Sequence, residues 1–170
     1  LITWIKEDNT KEFSVNTLEY LFLIESKIEK MDHLIDGILT YSKVDAEHCL
    51  KELVDLNDVV QNCINIIHIP ETISVKIENQ LPIINADKFR MQQLFQNLIS
   101  NGVNYIDKPK GEVVIGSYEE ENAYVFFVKD NGIGIAKEHQ EKIFKIFQTF
   151  SELASSTGIG LSIVKRIVEN

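Results

Sequence analysis

The hydrophobic positions of this chain change period, and the changes mark out its parts. Over residues 17–42 the period is helical. Leu21, Ile28 and Ile35 fall seven apart, with Ile24, Met31 and Ile38 between them, which makes an a/d seam. Leu18, Leu34, Leu39 and Tyr41 widen the stripe beyond a two-stranded coil. A widened stripe suits a four-helix bundle built from two hairpins, and so a homodimer. The competing expectation is one long helix packed on its own domain. Upstream, residues 1–8 read as the last turns of another helix and 9–14 as a break. Residues 44–56 are charged and irregular, and read as a hinge.

Beyond that point the pattern alternates between helix and strand. Asn57 is placed to cap a helix running to about Ile67, with Asp58 in its first turn. Pro70 ends that segment. Ile73, Val75 and Ile77 alternate with Ser74 and Lys76, which predicts a strand with one buried face. Residues 81–85 are a second extended run. Asp87 caps a helix to about Ile106, whose apolar face carries Met91, Leu94, Phe95, Leu98 and Ile99. Residues 112–118 and 124–130 alternate as two strands across an acidic tip at 119–122. A Phe-rich short helix or loop covers 137–150, and a glycine turn at 155–160 opens a helix from Leu161 onward. The expected fold is α+β: a two-layer α/β sandwich, with a mixed sheet and helices on one face, preceded by a helical hairpin. The expected division is 1–45 helical, 46–56 hinge and 57–170 sandwich.

Composition narrows the partners. The 170 residues suffice for one domain plus a helical piece, and the net charge of -9 argues against a broad nucleic-acid or acidic-membrane footprint. Cys49 and Cys63 form neither a CxxC pair nor a metal spacing, and read as reduced thiols. No apolar run reaches membrane-spanning length and no signal peptide is visible. The chain opens on Leu1 and stops inside a helical pattern, so it is expected to be a piece of a longer protein. Any membrane anchor or sensor would lie outside it.

Three stretches carry candidate chemistry. A strand-like run, 123–128, feeds into Asp130-Asn131-Gly132-Ile133-Gly134. A carboxylate at a strand end can accept from a planar amino group, and the glycines make room for a purine ring; Asp-Asn-Gly is also strong turn chemistry. Asn97 and Asn101, four apart, share a helix face and would suit Mg²⁺ with phosphate oxygens, or would be surface amides. Thr157-Gly158-Ile159-Gly160-Leu161 places glycines at a helix start, where free N–H groups meet an anion, or where the chain simply turns.

The order of these pieces resembles the catalytic domain of sensor histidine kinases, a branch of the Bergerat-type ATPases. Asn97-Leu-Ile-Ser-Asn101 looks like the family's N box, Asp130-Asn-Gly-Ile-Gly134 like G1, Phe144-Lys-Ile-Phe147 like the F box, and Gly158-Ile-Gly160-Leu161 like G2. Residues 38–44 are similar to the second helix of the dimerisation and phosphotransfer domain. The resemblance implies an ATP-binding kinase core that uses Mg²⁺, passes phosphate to a response regulator receiver domain, works in the cytoplasm and forms a homodimer. It gives Mg²⁺ to Asn101, the adenine amine to Asp130 and the base pocket to Gly132, Gly134 and Tyr105. Thr157, Gly158, Gly160 and Leu161 fall at the phosphates, Asn97 at nucleotide or metal, and Phe144 and Phe147 at the seat of the lid. ATP-hydrolysing relatives carry a Glu where Asn97 stands, and an amide is no general base.

The resemblance is incomplete. None of the four histidines, His33, His48, His68 and His139, fits the phosphoacceptor, and all four read as structural or surface residues. Residues 148–157 carry no Lys or Arg for the γ-phosphate, position 104 is Asn where a Lys is common, and Ser156 replaces the first glycine of G2. The family's last strands are absent after Asn170. A non-catalytic dimerisation and signalling module with a degenerate nucleotide site is the alternative expectation.

Overall fold

A computed structural model describes residues 15–46, 50–149 and 157–169. The expected helical remnant at 1–8, the residues His48 and Cys49, and most of the lid, 150–156, lie outside the described residues. Helix α1 spans Val15–Ala46, 32 residues. There follow β1 (Glu52–Asp55), α2 (Leu56–Ile66), β2 (Ile73–Ile77), β3 (Ile83–Ala86), α3 (Lys88–Asn104), β4 (Gly111–Glu120), β5 (Ala123–Asp130) and α4 (Gly160–Glu169).

The sheet is mixed. β4 pairs parallel with β2 and antiparallel with β5, in the order β2-β4-β5. A parallel pair needs a crossover, and α3 lies within it. The hairpin turn narrows to Glu121 and Asn122, both at positive φ (46° and 72°), the backbone of a tight two-residue connection. Helices α2 and α3 cover the sheet. Phe95, Ile99 and Val103 recur at helical spacing along α3 and are buried against Val113 and Ile115 of β4. Val59, Val60 and Cys63 of α2 complete that core, and Phe95 meets Phe126 edge-on with ring centroids 6.1 Å apart. Phe95→Ala removes the largest fully buried side chain of this core. It is expected to cost about 3–5 kcal/mol in a denaturant melt.

The segment expected to be an irregular hinge is ordered at its end. Residues 52–55 form β1, which pairs antiparallel with β3 as a separate two-stranded sheet. Val54 and Leu56 belong to the core, and their burial fixes the segment despite its charges. The cap of α2 also falls two residues earlier than expected. Asp55, not Asn57, is the N-cap, its carboxylate accepting from the Asn57 N–H at 2.8 Å. Hydrogen bonds from the Asn57 side chain and backbone hold the Asp55 carboxyl below its ordinary value. The Asn57 amide donates both to Asp55 Oδ1 at 2.9 Å and to the Leu81 carbonyl at 2.8 Å, and accepts the Leu81 N–H at 2.9 Å, so it ties the cap of α2 to the strand entry. Asp87 caps α3 as expected, accepting from the Arg90 N–H at 3.0 Å.

Helix α1 presents two faces. Ile24, Ile28, Met31, Ile35 and Ile38 of the seam are exposed. Leu34 instead packs on the α4 cluster of Ile159, Ile163 and Ile167, and Gly37 lies against Ile159. Glycine in a helix interior is about 1 kcal/mol less favourable than alanine, so close packing is the reason for it here. No described helix is long and apolar enough to cross a membrane.

Candidate functional site

The site begins where α3 ends. Gly102, buried on α3, leaves so little space that an added Cβ would lie 3.3 Å from the Val113 methyls and 3.6 Å from Asp130 Cβ. The absent side chain lets α3 lie close on β4 and β5. The C-terminal end of α3 is then strapped to the bend after β5: the Ile133 N–H donates to the Tyr105 carbonyl at 3.1 Å. Asn131 fastens the other side of that bend. Its side chain accepts from the Glu112 N–H at 2.9 Å and donates to the Lys110 carbonyl at 3.2 Å. Asp130-Asn-Gly is therefore not a hairpin turn but a bend held between a helix end and the start of β4.

Within that bend Asp130 is half committed. One carboxylate oxygen accepts the Gly132 N–H at 2.8 Å, which fixes the side chain and leaves Oδ2 for a ligand. Gly132 is required by crowding, since a Cβ would stand 2.4 Å from the Tyr105 carbonyl oxygen. Gly134 is at φ 70° and open, with nothing within 4 Å of a built Cβ. Asp130 and Gly134 line a cavity of about 460 Å³ together with Leu98, Asn101, Tyr105, Val128, Ile143 and Leu161. A cavity of that size, mostly apolar with a few fixed polar groups, suits a planar ring system.

A second cavity of about 200 Å³ adjoins it, and Asn101, Tyr105, Ile143, Gln148 and Leu161 line both. Asn97, Ser100, Asn104, Thr157, Gly158 and Gly160 complete its wall. Asn97 donates through Nδ2 to the Gln93 carbonyl at 2.8 Å, and its Oδ1 lies against Gly160, 2.8 Å from where a Cβ there would stand. Gly158, at φ 69°, turns the chain so that Gly160 opens α4, and the first N–H groups of that helix are left for an anion. The turn is pinned by the Phe147 N–H, which donates to the Gly158 carbonyl at 3.0 Å.

Of the expected residues, Asn97, Asn101, Tyr105, Asp130, Gly134, Thr157, Gly158, Gly160 and Leu161 line this double cleft. Gly132, Phe144 and Phe147 do not. Gly132 lies beneath the bend and acts on its shape. Phe147, at φ 64°, contributes its backbone to the Gly158 turn while its side chain is largely exposed. His139, expected as a structural or surface residue, lines the larger cavity from a short 3-10 turn, Lys137–His139. Ile143 and Gln148 were not singled out in the sequence. Nothing in their spacing marks them, because the segment has no sustained period.

The donor set fits Mg²⁺ held jointly by protein and phosphate oxygens. Among the described residues no group of three His, Cys, Asp or Glu side chains gathers into a metal cage. What the small cavity offers is amide oxygen at the mouth of a phosphate-sized space, which is the chemistry Mg²⁺ accepts while keeping waters.

A two-layer α+β sandwich whose helix amides and glycine bends share one cleft defines a Bergerat-type ATPase fold. The chain belongs to the histidine kinase-, DNA gyrase B-, and HSP90-like ATPase family, whose model matches residues 86–170, and within it to the sensor histidine kinase catalytic domains. It is 38% identical over 146 residues to the phytochrome-like protein Cph1 of Synechocystis, covering 84% of this chain and 20% of that one. It is 32% identical over 153 residues to the methanogenesis regulatory histidine kinase FilI of Methanothrix harundinacea, covering 88% and 17%. The chain thus spans about a fifth of the length of these relatives. Among solved structures, full-length ShkA in complex with AMPPNP superposes with a TM-score of 0.69 at 21% identity, over 94% of this chain and 35% of that one. The histidine kinase ThkA in complex with the response regulator TrrA gives 0.66 at 24%, over 99% and 49%.

Proposed function

We propose that the chain binds ATP with Mg²⁺ and is the catalytic core of a protein-histidine kinase in two-component signalling. The γ-phosphate goes to a histidine other than the four in this sequence, and from there to an aspartate of a response regulator receiver domain. The observation that carries the reading is that Asp130 and Asn101 face one continuous cleft, base-sized at one end and phosphate-sized at the other.

In this reading Asp130 Oδ2 accepts from the adenine amine while its Oδ1 keeps the bend in place. Tyr105 and Gly134 flank the ring. Asn101 supplies an oxygen to Mg²⁺, and Asn97 Oδ1 faces nucleotide or metal beside Gly160. Bound Mg²⁺ neutralises phosphate charge. The N–H groups at the start of α4 orient the phosphates for in-line attack. An imidazole nitrogen forms the bond to the γ-phosphorus as the bond to the β–γ bridging oxygen breaks, ADP leaves, and the imidazole proton passes to solvent. Asn97 cannot take a proton from water, which favours transfer over hydrolysis.

The exposed seam of α1 supports a homodimer through the N-terminal helices, and the complex of ThkA with a response regulator supports that kind of partner. Residues 1–45 are the helical dimerisation part and 57–170 the ATP-binding part, with β1 bringing the end of 46–56 into the latter. Work in the cytoplasm, without nucleic acid or membrane contact by this stretch, completes the reading. The alternative, a non-catalytic signalling module, is favoured by one observation: among the described residues neither cavity is lined by Lys or Arg.

Calorimetric titration with ATP separates the two. With Mg²⁺ the kinase reading expects saturable binding that weakens at least tenfold in EDTA, and Asn101→Ala is expected to remove most of that metal dependence, consistent with a metal neutralising phosphate charge. A stable dimer that takes up no ATP under either condition selects the alternative.

A further inference from the structure

Ile159 lies between the two glycines of the phosphate-side turn and is 1% exposed. Part of what covers it is α1. A Cβ at Gly37 would stand 2.7 Å from Ile159 Cδ1 and 3.3 Å from its Cγ2, so the glycine is the socket into which Ile159 fits. Leu34, one turn earlier on α1, packs on the same cluster, and Met91 and Leu94 of α3 close it from the other side. A line of direct contact therefore runs from α1 through Ile159 to Gly158 and Gly160. Gly160 in turn lies directly against Asn97 Oδ1 in the wall of the small cavity.

We propose that Gly37 is a positioning residue for the nucleotide's phosphates. By seating Ile159 it holds the Gly158–Gly160 turn in register with Asn97, and so couples the placement of α1 to affinity at the phosphate end of the cleft. The proposal rests on the nucleotide reading above. Buried side chains this closely packed do not deform gradually, so displacing α1 moves the turn or opens a void beside it. Gly158 and Gly160 line the small cavity and not the larger one, so the base end stays out of the coupling. Linkage makes the effect reciprocal: a ligand that favours the seated turn also tightens α1 against α4.

The test compares ATP with adenosine, titrated against the whole chain. Gly37→Leu is expected to weaken ATP about five- to tenfold while adenosine affinity stays within about twofold, a coupling of ordinary size. Gly37→Ala gives a smaller loss, and adding Ile159→Val restores ATP affinity, because valine lacks the Cδ1 that the new methyl would strike. Unchanged ATP affinity in Gly37→Leu overturns the coupling, and so does an equal loss of ATP and adenosine, which marks general damage. If the unsubstituted chain binds neither ligand, the nucleotide reading itself fails and the coupling falls with it.

Discussion

Asp130→Asn is expected to weaken adenine nucleotide binding on the order of a hundredfold while leaving the melting temperature nearly unchanged. The two effects separate because the two carboxylate oxygens have different tasks. Oδ1 accepts the Gly132 N–H at 2.8 Å, and an asparagine carbonyl can do the same. Oδ2 becomes an NH₂ group that points a donor at the adenine amine, so a charge-assisted bond worth about 1.5–3 kcal/mol is replaced by an unpaired donor facing another. Equilibrium titration beside a thermal melt checks both halves. A large fall in melting temperature with little change in affinity would place Asp130 in the framework and remove it from the ligand.

Gly132→Ala has the opposite signature, since both stability and binding should fail together. The new Cβ would stand 2.4 Å from the Tyr105 carbonyl oxygen and 2.9 Å from Asp130 Oδ1. The first of these is backbone, and it already accepts the Ile133 N–H, so it cannot swing aside. Separating α3 from the bend is expected to cost about 1–3 kcal/mol. Binding should fall at least tenfold even where the chain is still folded, because the same strap aims Asp130. Gly134→Ala is the control: its φ of 70° carries only the left-handed penalty of about 1–2 kcal/mol, with nothing within 4 Å to strike. A Gly132→Ala chain with stability and binding both unchanged would show that crowding at Tyr105 is not the reason for Gly132.

Most of the sandwich was legible in the sequence because its elements are long enough to show a period. Helix α3 announces itself by Asp87 and the spacing of Met91, Leu94, Phe95, Leu98 and Ile99, and β4 and β5 by alternation. What escaped was short or non-local. β1 is four residues, Glu-Leu-Val-Asp, too few to alternate convincingly, and its place is fixed by β3 thirty residues on. Asp55 and Asn57 are both good capping residues, and the Asn57 side-chain oxygen is taken instead by the N–H of Leu81, far along the chain. The polar half of the site, Asn97, Asn101, Asp130 and the glycines, was readable from the order of its pieces along the chain, since each piece alone also suited a surface amide or a plain turn. The apolar half was not. His139 and Ile143 reach the cavity from an irregular segment, and the pairing of Gly37 with Ile159 joins residues far apart in the chain.

The most direct test of the nucleotide cleft is a crystal structure of the chain grown with Mg²⁺ and a non-hydrolysable ATP analogue. The account predicts the adenine amine within hydrogen-bond distance of Asp130 Oδ2, the metal on Asn101 and the phosphates against the start of α4. An analogue bound with its base away from Asp130, or held outside the space between Asp130 and Asn101, would contradict it.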